Sequence, residues 1–444
     1  MTGFLERPRT ACALGGALST ISALPGVAPV IHSAIGCGGN LSGAAAFGAG
    51  YCGSSYISGN SAPTSGVTET EIVFGGSDRL AEEIEATFEL IDAELFVVAT
   101  GCMTEMIGDD VQGVVSEFAA DGKPILAIST PSFKGDAYAG YEIVLDGILN
   151  RYLPRASKKD PLLVNIFGVI PAYDPFFRGD LAEIKRLLEA LGLSVNCFFA
   201  PGETYEQILR APQASLNIVL SRAWGTLLAE RFKDRHQTPY WITDLPVGPE
   251  ATDAFLREAA ERLGIDHALT QSVIERENAL YYGYFERAVD MFSEGEYKFY
   301  TATVTNANTA IPYARFLQRE LGWLVGDVFV TDLLNEEQKR AVQAGFDEAG
   351  IGGRLLFETD TSRIGDHLVQ AHARSDGSRY FDAYTPFYIL GSTIEKETAA
   401  RLGATLLPVS FPVYNRVIVD RGYAGYWGGL HLFEDIVDIL VAAK

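Results

Sequence analysis

Along most of the chain, short runs of apolar residues alternate with longer segments in which apolar positions recur every three or four residues. The first pattern is typical of buried strands, and the second is typical of helices that bury one face. The predicted strands cover residues 94–100, 162–170, 215–220, 298–304, 323–331 and 387–390. Because strands that alternate with helices form parallel sheets covered by helices, we expect an α/β fold.

One helical segment, residues 179–193 (GDLAEIKRLLEALGL), illustrates the pattern. Its apolar positions, among them Leu187 and Leu191, recur at helical spacing and form one stripe. Asp180 precedes the stripe as a predicted N-cap, and Gly192 follows it as a stop signal. We therefore expect an amphipathic helix that buries one face against a sheet.

Two polar stretches indicate where the chain divides. Residues 154–160 are mostly polar and contain proline, and residues 293–296 are acidic. Because linkers between domains often have such compositions, we predict three Rossmann-like domains with mostly parallel sheets flanked by helices. The predicted domains cover residues 1–158, 159–294 and 295–444.

The composition is that of a globular protein, since 48% of the 444 residues are hydrophobic and 21% are charged. Lys and Arg number 35 and Asp and Glu number 57, so the formal net charge is −22, which repels phosphate backbones and anionic lipids. The apolar runs are shorter than the roughly 18 residues that a membrane span needs, and no export signal is recognised. We therefore expect a cytoplasmic protein whose partners include neither nucleic acid nor a membrane.

Five cysteines are spread along the chain: Cys12, Cys37, Cys52, Cys102 and Cys197. An odd and sparse set argues against a disulfide framework, and the first separations are too wide for a ribbon-type zinc site. Residues 12–66, which hold three of the five, are rich in Gly, Ala and Ser. Since glycine permits close approach of the backbone, this composition predicts a segment packed tightly around another group.

Cys102 follows directly after a predicted strand, at the edge where open α/β sheets bind ligands. Thiolates at such strand ends can ligate an iron–sulfur cluster, and neighbouring backbone N–H groups can tune its potential. The alternative is that the cysteines are free buried thiols that behave as small hydrophobic residues. The glycine-flanked, turn-like surroundings of Cys12, Cys37 and Cys102 favour the ligand interpretation.

Several longer motifs, in order along the chain, resemble the β-type subunit of nitrogenase component 1 and its nitrogenase-like relatives. The motifs are GC at 36–37, IVFGG at 72–76, CMTEMIGDD at 102–110, GDLAEIKRLLEALGL at 179–193, DLPVGPEATDAFL at 244–256, ILGSTIEKETAARLGATLLPVSFPV at 389–413 and NRVIVDRGYAGYWGGL at 415–430. The likeness extends along nearly the whole chain.

The resemblance implies an α2β2 complex with a homologous α-type subunit, in which three cysteines from each partner hold a P-cluster-type centre (8Fe–7S) at their interface. Cys12, Cys37 and Cys102 match the β-side ligands. The implied electron donor is a separate, homodimeric, ATP-hydrolysing iron protein with a 4Fe–4S cluster. This division of labour agrees with the sequence, which contains no GxxxxGK[ST] nucleotide loop.

The same resemblance implies that the active-site metal cluster lies on the α-type subunit. Ser221 stands nearest to the place of a cofactor-holding cysteine of α-type subunits, and near the C-terminus only His431 is available as a histidine. Cys52 is predicted to be a packed thiol, with a role as an additional or substitute ligand as the alternative. Cys197 is predicted to be a core strand residue.

Other polar and aromatic residues near these motifs are predicted to stabilise the structure. His32 is expected to make a structural hydrogen bond, and the alternative is that its imidazole orients or protonates a group near the cluster. Three acidic residues that follow Cys102 are expected to stabilise helix N-termini: Glu105, Asp109 and Asp110. Three aromatic residues near the C-terminus are expected to pack against the partner subunit: Tyr423, Tyr426 and Trp427.

The choice among reductases depends on departures from the nitrogenase pattern. Small residues at positions 38–40 follow Cys37 where nitrogenase β-subunits tend to carry bulkier ones, and the chain before Cys12 is short. These departures favour a methylthio-alkane reductase, which cleaves carbon–sulfur bonds, over a dinitrogen-reducing nitrogenase or a tetrapyrrole-type reductase. Alternatives from other classes are a cofactor-assembly scaffold of the same fold and a metal-free protein that binds a small molecule.

Overall fold

The structure, a computed structural model, describes residues 6–50, 62–294, 299–372 and 387–442. Within these ranges, twelve strands form three sheets, every strand pair is parallel, and helices cover the sheets. The predicted α/β class with parallel sheets flanked by helices is confirmed, whereas the exact domain boundaries stay a prediction. No helix in the described ranges is long and apolar enough to cross a membrane.

The first sheet has the strand order β1-β2-β3. Its strands are β1 (Val27–His32), β2 (Leu95–Thr100) and β3 (Ile125–Ser129). Its helices are α1 (Ala13–Ala23), α2 (Ile35–Gly48), α3 (Glu69–Phe74), α4 (Ser77–Leu90), α5 (Cys102–Ile107), α6 (Val111–Ala120) and α7 (Ala137–Leu145), which continues as a π-helix (Asp146–Tyr152). All six residues of the central strand β2 are buried, which explains its unbroken apolar pattern.

The second sheet has the order β5-β4-β6-β7. Its strands are β4 (Asp160–Phe167), β5 (Ser194–Asn196), β6 (Ala214–Val219) and β7 (Tyr240–Ile242). The accompanying helices are α8 (Phe177–Ala190), α9 (Tyr205–Arg210), α10 (Thr226–His236), α11 (Gly248–Leu263) and α12 (His267–Glu294).

The third sheet has the order β10-β9-β8-β11-β12. Its strands are β8 (Tyr300–Thr305), β9 (Leu324–Val330), β10 (Arg354–Phe357), β11 (Phe387–Gly391) and β12 (Thr405–Pro408). The helices of this part are α13 (Ala307–Arg319), α14 (Glu336–Glu348), α15 (Thr361–Ala371), α16 (Lys396–Leu402) and α17 (Gly425–Ala442). Helix α17 packs against α8, α11 and α12 and also contacts β12, so it connects the helices of the second sheet to the third sheet.

Close helix packing explains part of the glycine-rich composition near the N-terminus. Helices α1 and α7 approach so closely that a Cβ on Gly16 would lie 1.8 Å from the carbonyl oxygen of Ala137. A Cβ on Gly140 would lie 2.1 Å from the carbonyl oxygen of Ala13. Because these contacts are with backbone, a larger residue at either position must push the two helices apart.

The predicted N-cap role of Asp180 is wrong. Helix α8 begins at Phe177, so Asp180 lies within its first turn rather than before it. The backbone N–H groups of Tyr423 and Ala424 donate to Asp180 Oδ1 at 2.6 and 2.8 Å. The carboxylate therefore anchors the segment that leads into α17, a contact between residues far apart in the chain.

Burial raises the pKa of Asp180 from 3.8 to about 7, despite the two N–H donors that favour its charged form. Because the folded state then binds a proton more tightly than the unfolded state, this residue adds stability as the pH falls from about 7 to about 4. We expect Asp180→Asn to lack this gain, so the difference in unfolding free energy between wild type and variant should grow by roughly a few kcal/mol over that range.

Urea unfolding at several pH values measures this difference. The matched control is Asp366→Asn, which removes an exposed carboxylate of α15, and the pH dependence due to Asp180 is the part that exceeds the pH dependence of this control. If the difference in unfolding free energy between wild type and Asp180→Asn does not change with pH, the raised pKa of the buried Asp180 carboxyl is contradicted.

The expected packing of the C-terminal aromatic residues against a partner is wrong for Tyr423 and Tyr426. Tyr423 is 0% exposed and Tyr426 is 2% exposed, so both belong to the core of this chain. The Tyr423 hydroxyl donates to Asp435 Oδ2 at 2.6 Å. Trp427 is half-buried and contacts the ring of Tyr284 on α12, which leaves part of its surface open.

Candidate functional site

The carboxyl ends of the first sheet's strands lie side by side. In the register of the sheet, His32 at the end of β1 pairs with Thr100 on β2, and Thr100 pairs with Ser129 at the end of β3. The loops beyond these strands therefore open on one edge of the sheet, the usual place for ligands in parallel sheets. The three predicted ligands all lie on these loops or against them.

Cys102 is the first residue of α5, directly beyond β2. Its thiol donates a hydrogen bond to Ser132 Oγ at 2.9 Å, and the Ser132 N–H donates to the sulfur at 3.1 Å. Gly101 permits the turn into α5, because a Cβ there would lie 2.0 Å from Ser33 Oγ. Cys102 is half-buried, so its sulfur stays accessible to a further group.

Cys12 immediately precedes α1 and lies against the loop that follows β3. It forms an antiparallel bridge with Asp136 in that loop. A cavity of about 260 Å³ is lined by Cys12, Ser132 and Asp136 together with residues of the third sheet's loops. Cys12 and Cys102 thus both contact the segment at residues 132–136.

A buried ion pair fixes the chain just before Cys12. The Arg9 guanidinium binds both carboxylate oxygens of Glu395 and donates to Ser392 Oγ at 3.1 Å. All three side chains are buried, so the charges attract each other with little screening by water. The pair joins the N-terminal segment, and with it Cys12, to the start of α16.

Cys37 lies in the first turn of α2, the helix that follows β1. Its N–H donates to the carbonyl oxygen of Ala34 at 3.0 Å, and the residue is half-buried. A Cβ on Gly39 or Gly43 of the same helix would meet no atom of the described residues within 4 Å. Since glycine destabilises a helix interior, packing within the described part of this chain does not explain the glycine face of α2.

The three cysteines therefore share a sheet edge without forming an ion-sized site. Among the residues that the structure describes, no three His, Cys, Asp or Glu side chains are grouped to hold one metal ion. Cys12, Cys37 and Cys102 are free thiols, and Cys52 lies outside the described residues. Separate, soft sulfur ligands fit an iron–sulfur cluster, whose different irons take different ligands, better than a single ion.

Large apolar side chains near this edge point into solvent. Met106 lies on α5 with Cys102, Phe133 follows Ser132, and Leu333 lines the cavity beside Cys12. The exposed set, which we call the apolar rim, consists of Ile35 (74% exposed), Phe74 (85%), Met106 (80%), Phe133 (66%) and Leu333 (61%). Because large exposed apolar residues in one region mark interaction sites, the rim indicates a protein interface around the thiols.

The structural hydrogen bonding expected of His32 is confirmed. Its Nδ1 lies 2.9 Å from Ser65 Oγ, and its Nε2 lies 2.9 Å from Asp109 Oδ2. Burial lowers the pKa of His32, and the neighbouring Asp109 carboxylate opposes this shift. Asp109 also accepts at 2.8 Å the N–H of Gly76, the N-cap residue of α4, so its carboxylate lies at the N-terminus of α4 and does not cap α6, the helix that follows it in the chain.

The other two acidic residues after Cys102 behave as expected. Asp110 caps α6, since the Gly113 N–H donates to its Oδ1 at 2.9 Å. Glu105 lies in the first turn of α5, where its charge favours the helix dipole, and it accepts a hydrogen bond from the Thr100 hydroxyl.

Three other residues from the sequence analysis serve local structure. Cys197 is fully buried directly after β5, where burial raises the pKa of its thiol well above the usual value, so the core prediction is confirmed. The Ser221 hydroxyl accepts the N–H groups of Ala223 and Trp224 at 3.1 and 2.9 Å. His431 Nδ1 lies 3.2 Å from the carbonyl oxygen of Gly422.

Sequence reasoning missed Ser132 and Asp136. Asp136 caps α7 and accepts the Leu333 N–H at 3.1 Å, and burial raises its pKa to about 6. The missed signal was the short apolar run of β3 at residues 125–129, because the residues that follow such a strand reach the same sheet edge as Cys102.

Comparisons with known proteins identify the family and the fold of this chain. The family described as nitrogenase component 1 type oxidoreductase matches residues 12–441. The nitrogenase molybdenum-iron protein beta chain of Sinorhizobium fredii is 23% identical over 86% of this chain and 74% of its own length. A subunit of the light-independent protochlorophyllide reductase of Synechococcus sp. is 27% identical over 77% of this chain and 63% of its own length.

A solved structure described as nitrogenase Cp1 at pH 6.5 has the same fold. It superposes with a TM-score of 0.80 at 21% identity and covers 100% of this chain and 94% of its own. The family match extends over almost the entire sequence and includes all three edge cysteines. The chain therefore belongs to the nitrogenase component 1 type oxidoreductases.

Proposed function

We propose that this chain is the β-type subunit of a nitrogenase-like reductase and that Cys12, Cys37 and Cys102 hold one side of a P-cluster-type iron–sulfur centre (8Fe–7S). The observation that carries the proposal is the presence of three half-buried thiols at one sheet edge, next to the apolar rim. Such a centre takes up and releases electrons, so the subunit serves as an electron relay.

The residues of this chain around the thiols suit that role. The Ser132 N–H donates to the Cys102 sulfur, and such donors stabilise the negative charge of a ligating thiolate. The Arg9–Glu395 pair fixes the approach to Cys12, and the close contact of α1 with α7 fixes the helix beyond it. These contacts fix the positions of Cys12 and Cys102 through other residues of this chain, so the positions do not depend on a bound group.

The apolar rim supports a shared centre at a subunit interface. Covering the rim with a partner excludes water from the sheet edge, and burial helps to set the potential of a cluster. We propose a homologous α-type subunit as this partner, in an α2β2 complex that carries the active-site metal cluster on the α-type chain. A separate ATP-hydrolysing iron protein supplies the electrons.

Within this family we propose a methylthio-alkane reductase. The support is the run of small residues after Cys37, which continues in the open glycine face of α2, where a Cβ on Gly39 or Gly43 would contact nothing described. The net reaction adds two electrons and two protons to a methylthio-alkane, breaks one carbon–sulfur bond, and releases an alkane and methanethiol. A dinitrogen-reducing nitrogenase and a cofactor-assembly scaffold are the alternatives.

The substrate proposal is tested by measuring turnover by the complex purified with its α-type partner. The complex receives its iron protein, ATP and either a methylthio-alkane or dinitrogen at equal electron supply. We expect alkane and methanethiol to be the main products. Ammonia as the main product would contradict the substrate proposal in favour of a nitrogenase, and iron-loaded complex without turnover of either compound would favour the scaffold.

A further inference from the structure

A second cavity, of about 550 Å³, lies between the first and second sheets and outside the cysteine site. Its walls come from the end of β3, from α7 and its π-helical continuation, and from the start of α10. None of the three edge cysteines lines it. The cleft thus joins two structural parts of the chain, a usual place for small-molecule sites.

The charge of the cleft is opposite to that of the chain. Three cationic side chains line it, Lys134, Arg151 and Arg231, although the whole chain carries a net charge of −22. Arg231 Nη1 lies 2.9 Å and Arg151 Nε lies 3.8 Å from the same oxygen, Asp146 Oδ2. The single carboxylate of Asp146 thus pairs with two guanidinium groups. Because each guanidinium has five N–H donors, both groups keep donors available to another anion.

The other carboxylate in the cleft is already engaged. Glu142 Oε1 accepts the Gly225 N–H at 2.6 Å, and burial raises the pKa of Glu142 to about 7. Lys134 Nζ is held at the end of β3 by the hydroxyl and carbonyl oxygens of Ser129, at 2.5 and 3.3 Å. Both oxygens are uncharged, so the positive charge of Lys134 is not neutralised there.

The backbone supplies an independent observation. Residues 146–152 form a π-helix, a rare conformation that is frequently found at functional sites. It carries both Asp146 and Arg151 and so determines how they face Arg231 on α10. A regular α-helix would place these side chains at a different angle around the helix axis.

We propose that this cleft binds a small molecule with two or more negatively charged oxygen groups, held by Lys134, Arg151 and Arg231. The volume exceeds that of one phosphate group and suits a diphosphate or a polycarboxylate. Lys134 belongs to the same turn of 3-10 helix as Ser132, the residue that contacts Cys102. A bound anion would therefore lie one short turn away from the cysteine site.

Equilibrium binding to the full chain tests the proposal, with pyrophosphate and citrate as probes at constant ionic strength. We expect saturable binding of at least one probe, and the probe that binds distinguishes a phosphate ligand from a carboxylate ligand. Arg151→Gln combined with Arg231→Gln should weaken binding at least about tenfold, since the variant loses two charge-assisted donors to the anion. The matched control is Arg257→Gln, which removes a similarly exposed, carboxylate-paired arginine of α11.

Asp146→Asn should change the affinity for the anion in the opposite direction. It removes the carboxylate that competes for the two guanidinium groups, so binding should tighten severalfold, an outcome that misfolding does not produce. Absence of saturable binding by either probe would overturn the proposal. Unchanged affinity in both the double arginine variant and Asp146→Asn would also overturn it, because binding would then occur elsewhere.

Discussion

Replacing Cys37 or Cys102 by serine should remove most of the iron of the shared centre and weaken association of the chain with the α-type subunit. A serine hydroxyl stays protonated at neutral pH and is a hard ligand, whereas iron–sulfur clusters are held by soft thiolates. Both cysteines are half-buried, so the substitution itself should leave the fold intact. Iron content per chain and the elution volume of the complex measure the two effects.

Cys197→Ser is the matched control. Cys197 lies fully buried beyond β5, away from the first sheet, so iron should stay at the wild-type level although the fold loses some stability. Wild-type iron in both the Cys37 and Cys102 variants would contradict the ligand assignment. Iron loss in the Cys197 variant alone would contradict it as well.

Gly140→Val should lower the free energy of unfolding by about 3 kcal/mol or more, at the upper end of what overpacking costs. The first added carbon would lie 2.1 Å from the carbonyl oxygen of Ala13 and 2.6 Å from the backbone nitrogen of Ala17. Helix α1 must therefore move away from α7. Because α1 begins directly after Cys12, iron content should fall together with stability.

Urea unfolding and iron analysis of the same preparation measure both consequences. Gly283→Ala in α12 is the matched control, because a Cβ there would meet nothing described within 4 Å and alanine favours a helix by roughly 0.5–1 kcal/mol. Unchanged stability of Gly140→Val would show that α1 and α7 are not in the close contact described. Lower stability with full iron would show that this contact does not position Cys12.

The apolar pattern predicted the strands that are buried on both faces, because such strands carry uninterrupted apolar runs. It therefore placed Cys102 correctly, directly beyond β2. The edge strand β1 contains Pro29 within a segment rich in small residues, and β3 is only five residues long. Their pairing with β2 decides their conformation, so the apolar run of β3 is a weaker local signal than that of β2, and Ser132 beyond it was missed.

Long-range contacts explain what the local pattern did not predict. Asp180 has the residue type of an N-cap, but its partners Tyr423 and Ala424 lie near the other end of the chain. Asp109 follows Cys102 closely in the chain, yet its carboxylate accepts the Gly76 N–H at the N-terminus of α4 and hydrogen-bonds to His32 at the end of β1. Local propensity describes the nearest helix, whereas the tertiary fold decides which donor reaches a buried carboxylate.

Iron and acid-labile sulfide analysis, together with EPR, of the complex purified anaerobically with its α-type subunit tests the role of the three edge cysteines most directly. We expect about eight iron atoms per αβ pair in addition to those of the active-site cofactor, as a P-cluster-type relay requires. About four would indicate a smaller centre of the tetrapyrrole-reductase kind. Absence of this additional iron would contradict the central claim and would leave Cys12, Cys37 and Cys102 as ordinary thiols.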